Sequence, residues 1–293
     1  MVATETRSLI SRLLPARLAR RGPVLPLVKL HGTIGVGSPL RPALNLDMVN
    51  SSLERAFSYR KAPAVLLSIN SPGGSAVQSA LIHNRIRQLA QRRNVKVISF
   101  CEDVAASGGY WLATAGDEIY ADHASIVGSI GVVYAGFGFV EALDRLGVER
   151  RVHTAGKSKM MLDPVQPQRE DDVNRLMNMQ ADIHETFKSL VRTRRDGKLK
   201  VEDDELFSGA FWSGNQAREI GLVDGLGSLH DVVTDKFGPE AILRPVSRTA
   251  GWMRRLRMPP QVAGRPSGHI AAGLAEEVIE ALEARALWQR FGL

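Results

Sequence analysis

The sequence predicts an α/β fold built on a parallel sheet, and three observations carry that expectation. Short apolar, β-branched runs recur at residues 24–30, 64–69, 95–101 and 118–121 and read as buried strands. Stretches of helical periodicity lie between them, at 46–59 (Leu46, Met48, Val49, Leu53 and Phe57 on the apolar side) and at 75–91. Each run is also followed by a loop of small residues, at 31–35, 70–74 and 103–109. Alternation of this kind favours right-handed βαβ crossovers, which bring the strand C-termini to one edge of the sheet. In open α/β sheets that edge is where ligands bind.

Further along, the pattern predicts a glycine-rich segment at 124–140, a helix at 140–146, a strand at 151–154 and a loop at 155–164. A long amphipathic helix is expected at 169–195, with Val173, Leu176, Ile183, Phe187 and Leu190 among its apolar members. Short helices around Ala217 and Val232 close the main unit near Phe237. The expected organisation is a basic N-terminal arm (1–22), a main domain (23–240), a Pro- and Gly-containing linker (241–268) and a C-terminal helix (269–293).

Composition removes several function classes. The chain has one cysteine, Cys101, which excludes an internal disulfide and a cysteine-based zinc site. No metal and no cofactor are expected. The net charge of +7 is spread over separate clusters at 92–93, 150–151, 192–195 and 254–257 without interleaved aromatic residues, so no nucleic-acid partner is expected. Residues 124–140 are uncharged for 17 positions, near the length of a membrane span, but they contain four glycines and two serines and fit a buried strand and loop better. The arm carries Arg7, Arg12, Arg17, Arg20 and Arg21 against Glu5 and lacks the apolar stretch of a secretory signal. A membrane surface, a neighbouring subunit and a disordered tail suit it equally.

The most suggestive residue is Ser107, set among Ala105, Ala106, Gly108 and Gly109 where a strand gives way to a helix. Free backbone N–H groups and the helix dipole favour negative charge there, which suits a nucleophile; a tightly packed helix cap reads the same way. No histidine stands in a recognisable triad pattern, and His31, His123, His153 and His184 read as ordinary loop or core residues. A base could instead be a lysine of the 155–164 loop, Lys157 or Lys159. Such a lysine must be neutral to act, and burial lowers its usual pKa of about 10.4.

Four segments occur in order: Ile69-Asn70-Ser71-Pro72-Gly73-Gly74, Ala105-Ala106-Ser107-Gly108-Gly109-Tyr110, Val127-Gly128-Ser129-Ile130-Gly131-Val132 and Thr154-Ala155-Gly156-Lys157-Ser158-Lys159. With Gln216-Ala217 and Gly221-Leu222-Val223-Asp224, they resemble the S49 serine peptidases, the signal peptide peptidase A and SohB-like Ser-Lys proteases. The resemblance covers roughly residues 24–237. It implies Ser107 as nucleophile, Lys159 as general base, Ser129 as the hydroxyl that orients the lysine, and Gly74 and Gly108 as oxyanion donors. It implies a ClpP/crotonase-like spiral of ββα units with parallel sheets and flanking helices. It further implies peptide or unfolded-protein substrates that are extended and largely apolar, and a homo-oligomer, tetramer or octamer, whose subunits share active sites. Family members typically carry a membrane anchor where this chain has the basic arm, so the expected location is cytoplasmic or peripheral on the inner membrane. Two other readings remain at this point: a crotonase-like acyl-CoA enzyme using Glu102 or Asp103, and a catalytically dead ring scaffold.

Overall fold

A computed structural model describes residues 22–35, 43–156, 158–246 and 285–292. Residues 1–21 of the expected N-terminal arm, 247–268 of the expected linker, most of the C-terminal helix, and Lys157 therefore lie outside the described residues.

Strands β1 (Val24–His31), β2 (Ala64–Ser71) and β3 (Lys96–Ala106) form the centre of a mostly parallel sheet. Its path runs β6-β5-β3-β2-β1-β8. The other members are β4 (Glu118–Ala121), β5 (Ile126–Gly128), β6 (Phe211–Ser213), β7 (Gly225–Leu226) and β8 (Ile242–Pro245). Only the β5–β6 pair is antiparallel. β3 is long enough to serve two partners: Ile98–Cys101 pairs with β4, and Val104–Ala106 pairs with β5. The register shift between Ile69 and Ser71 marks the place where the sheet turns toward its second partner. This mixed α/β architecture, mostly parallel with flanking helices, is the fold class the sequence predicts.

Local chemistry sets the helix starts. The Asn45 side chain accepts from the Met48 N–H at 3.0 Å and caps α1 (Leu46–Ala56); Ser75 accepts from Gln78 and caps α2 (Ala76–Arg93). α2 ends on Asn94, whose left-handed conformation closes the last turn. α3 (Gly108–Ala113) is wholly buried and follows β3 after the single residue Ser107. The remaining helices are α4 (Val140–Arg145), α5 (Glu170–Arg194), α6 (Asp203–Leu206), α7 (Gly214–Glu219) and α8 (Leu229–Phe237).

Side chains alternate along the strands, so the sheet has two apolar faces. Val28, Leu30, Val65, Leu67 and Ile69 pack against α1, α2 and α3, whereas Leu25, Leu27, Leu66 and Phe100 pack against Val232 and Val233 of α8. Arginines of the basic cluster at 192–195 are used internally. Arg194 donates to the carbonyls of Thr114 and Gly116, and Arg195, 2% exposed, forks onto the Gly221 carbonyl and the Asp224 carboxylate.

The structure differs from the sequence reading at three places. Residues 151–154 form no strand: they have no pairing partner among the described residues and lie mostly exposed. The sheet does not end near Phe237, because β8 adds a parallel edge beside β1. Finally, β6 and β7 are too short to leave a periodic pattern and are defined by their pairing alone.

Candidate active site

Ser107 sits at the junction of β3 and α3 with φ +52° and ψ −121°. Positive φ on a serine is strained, and here both flanks impose it. The Ser107 N–H donates to the Gly128 carbonyl at 2.8 Å, and its own carbonyl accepts from Trp111 at 3.0 Å. Ser107 is half-buried, and its hydroxyl has no hydrogen-bond partner among the described residues. A strand–turn–helix junction thus presents a free hydroxyl, in the manner of a nucleophile elbow.

The loop after β2 forms the facing wall. Gly73 and Gly74 have φ +102° and +136°. A Cβ at Gly73 would come within 2.8 Å of the Ser107 Cβ, and one at Gly74 would overlap the Ile34 carbonyl. Ile34 holds this loop from both sides: its N–H donates to Gly73 O, and its carbonyl accepts from Ser75 N–H, each at 2.8 Å. Gly108 lacks a side chain because α2 leaves no space for one: a Cβ there would meet Ser79 Oγ at 2.5 Å. The N–H groups of Gly74 and Gly108 donate to no acceptor among the described residues, although both glycines line the cavity that contains Ser107.

That cavity encloses about 390 Å³. Its walls include Trp111, Val132, Val133, Ile183 and Phe187, with Trp111 and Phe187 stacked at 4.6 Å between ring centroids. No carboxylate lines it. Glu102 and Asp103 point elsewhere: Glu102 accepts from Ser68, which is also bonded to His31 at 2.6 Å, and Asp103 accepts from Asn70 at 2.6 Å. This removes the acid or base that an acyl-CoA chemistry would draw from them. His123 and His184 bond Asn215 and the Ile130 carbonyl, at 2.8 and 3.1 Å, as ordinary structural residues.

Ser129 follows the Gly128 carbonyl that receives the Ser107 N–H, so β5 sets the two serines side by side along the chain path. Ser129 is 6% exposed with φ +51°, and its N–H donates to Ala210 O at 2.7 Å. Lys159 is placed differently. It lies exposed in the turn 158–162, beside a separate open cavity with Leu143, Arg150, Met160 and Met161. The described contacts of Ser107 and Lys159 do not include one another. The burial that the sequence reading expects around Lys159 is absent among the described residues.

Sequence reasoning missed the bolt behind the site. The Tyr110 hydroxyl donates to the Leu222 carbonyl at 2.8 Å, tying α3 to the Gly221-Leu222-Val223-Asp224 segment. Asp224 accepts from the Ile119 N–H, Arg195 and Lys198 at 2.7–2.8 Å. Burial raises the Asp224 pKa, but the Arg195 and Lys198 bonds overcome it and hold the carboxyl below its usual value. The only signal in sequence was the motif itself, which states no partner.

Comparison with known proteins follows the same residues. A Brucella abortus protein named Na(+)/H(+) antiporter NhaA is 47% identical over 291 residues, covering 97% of this chain but 39% of that protein. Most of that relative thus lies outside the match, and among the described residues here no helix is long and apolar enough to cross a membrane. The chloroplastic serine protease SPPA of Arabidopsis thaliana is 29% identical over 70% of this chain and 31% of its own length. Protease 4 of Haemophilus influenzae is 31% identical over 71% of this chain and 34% of its own length. The chain therefore spans well under half the length of these relatives. The pattern of peptidase family S49 matches residues 89–237, just over half of the 293, a stretch that contains Ser107, Ser129, Lys159 and the Tyr110–Leu222 bolt. The chain belongs to peptidase family S49.

Proposed function

We propose that the protein is a serine endopeptidase in which Ser107 attacks the peptide carbonyl and Lys159, supplied by a neighbouring copy of the chain, is its general base. The observation that carries this reading is the unpartnered Ser107 hydroxyl, held at strained φ and facing two glycine N–H groups that have no acceptor.

In this mechanism the neutral Lys159 amine takes the Ser107 proton as Oγ bonds to the scissile carbonyl carbon. The carbonyl oxygen becomes an oxyanion and accepts from the N–H groups of Gly74 and Gly108; one such donor is worth about 3–4 kcal/mol. Collapse breaks the C–N bond, and the Lys159 ammonium returns its proton to the leaving amine. A water molecule then gives a proton to Lys159 as it attacks the acyl-enzyme carbonyl. Collapse breaks the ester C–O bond, and the Lys159 ammonium returns that proton to Ser107 Oγ as the acid is released. Ser129 orients the amine in both protonation states. The apolar walls at Trp111, Val132 and Phe187 suit an extended, largely apolar peptide. Lys159 lying exposed, beside a cavity that Ser107 does not line, supports a base supplied by a second copy.

Intact-mass spectrometry after fluorophosphonate treatment tests the chemistry. Wild type should gain one adduct, Ser107→Ala none, and Lys159→Ala should react at least on the order of a hundredfold more slowly, the usual span of a general base. Unchanged labelling of Lys159→Ala would remove the lysine from the mechanism.

A further inference from the structure

Residues 285–292 return to the sheet beside Ser107. Residues 285–289 are helical, and their spacing divides the side chains between two surfaces. Trp288 and Phe291 pack on Val104, Ala106 and Ile126, with Phe291 only 8% exposed and its ring edge-on to Phe211 at 5.2 Å between centroids. These contacts belong to β3, β5 and β6, the strands that hold the Ser107 junction. Leu287 and Arg290 take the other surface and line the cavity that contains Ser107. Among the described residues Arg290 is the one charged side chain of that lining, and it has no ion pair or side-chain hydrogen bond.

We propose that this C-terminal segment is part of the substrate site: Phe291 anchors it, and Arg290 selects peptides that carry an Asp or Glu side chain near the bond to be cleaved. The inference rests on the peptidase reading for its ligand class. Apart from the Ser107 hydroxyl, the remaining described lining is apolar or backbone, so it offers an extended peptide no second charge to discriminate by. A guanidinium forks onto both oxygens of a carboxylate in charge-assisted bonds, whereas the neutral amide of the same shape accepts through one oxygen and without charge. Arg290 is exposed, so the expected gain is the modest one of a solvated pair and shrinks with added salt.

The test uses fluorescent peptides that differ only in Glu or Gln, placed in turn at each position flanking the cleaved bond. Binding to full-length Ser107→Ala is read by anisotropy, which needs no catalysis. At one position or more, the Glu peptide should bind about two- to fivefold more tightly. Adding Arg290→Gln should abolish that preference, and Arg290→Glu should reverse it. Phe291→Ala should also abolish it with Arg290 intact, because the wall is then no longer held. Absence of any preference, or a preference that survives Arg290→Gln, overturns the inference. Cleavage by wild type is measured in parallel. Charge-selective binding without cleavage removes the peptidase reading and leaves this one standing, whereas cleavage blind to charge removes this one alone.

Discussion

Ser107 and Ser129 both carry positive φ, a conformation that costs a serine on the order of 1–3 kcal/mol and survives only when the surroundings over-determine it. Around Ser107 the determinants are the Gly128 carbonyl, the first turn of α3 and the glycine loop pressed against it. The loop is the most vulnerable of these. At Gly74 an alanine would meet both an unfavourable φ of +136° and the Ile34 carbonyl, a backbone atom that cannot rotate away. Gly74→Ala should therefore lower stability by at least the same 1–3 kcal/mol, read as a fall of several degrees in the melting temperature. It should also slow fluorophosphonate labelling of Ser107. Gly138→Ala is the control, since nothing lies within 4 Å of its Cβ position, and it should leave both readings unchanged. Equal behaviour of the two variants would show that the loop relaxes freely and is not what positions the site.

At the scale of elements, α2 supports the glycine loop from below and contains a buried titratable group. His83 is 4% exposed, its Nε2 has no partner, and burial, helped by the nearby Arg87 and Arg194, lowers its pKa from 6.5 to about 4, although Asn84 opposes the shift. The folded state thus holds His83 neutral while the unfolded chain protonates near 6.5, so its contribution is complete above pH 6.5 and is lost as pH falls toward 4. The shift corresponds to a loss on the order of 3 kcal/mol across that window. His83→Leu should flatten the fall in melting temperature between pH 7 and pH 4.5, at the cost of about 1 kcal/mol at pH 7 from the lost Nδ1–Asn84 hydrogen bond. An unchanged slope would assign the acid sensitivity to other groups. The central elements were legible because long elements repeat their signals: helical periodicity at 46–59 and 75–91 announces α1 and α2, and the β-branched runs announce β1 to β3. The short strands β6, β7 and β8 were not, because two to four residues carry no period and exist only through their partners. Ser107 and the glycine loop were readable as motifs. The Tyr110–Leu222 and Arg195–Asp224 ties were not, since they join residues far apart in sequence through single side chains.

At the scale of the whole molecule, the proposed reading leaves the candidate nucleophile Ser107 and its candidate base Lys159 at separate cavities among the described residues. The segment that carries Lys159 is also the one with the least internal packing. Val133, Phe137, Leu146 and Val148 are 51–82% exposed, and α4 has no buried residue. Apolar surface of this kind is what a second copy would cover, and the reading with Lys159 acting between subunits makes a demand that a self-contained site does not. Ser107→Ala chains retain the lysine and Lys159→Ala chains retain the serine. If the site is shared, mixing and reassembling the two inactive variants should produce mixed pairs in which an intact Ser107 faces an intact Lys159. Cleavage of a peptide should then recover to a substantial fraction of wild type, rising with the time allowed for subunit exchange. Only the Lys159→Ala chains should take up the fluorophosphonate. A single-chain site predicts no recovery at any mixing ratio, and that result would require the 155–164 loop to close onto Ser107 within one chain.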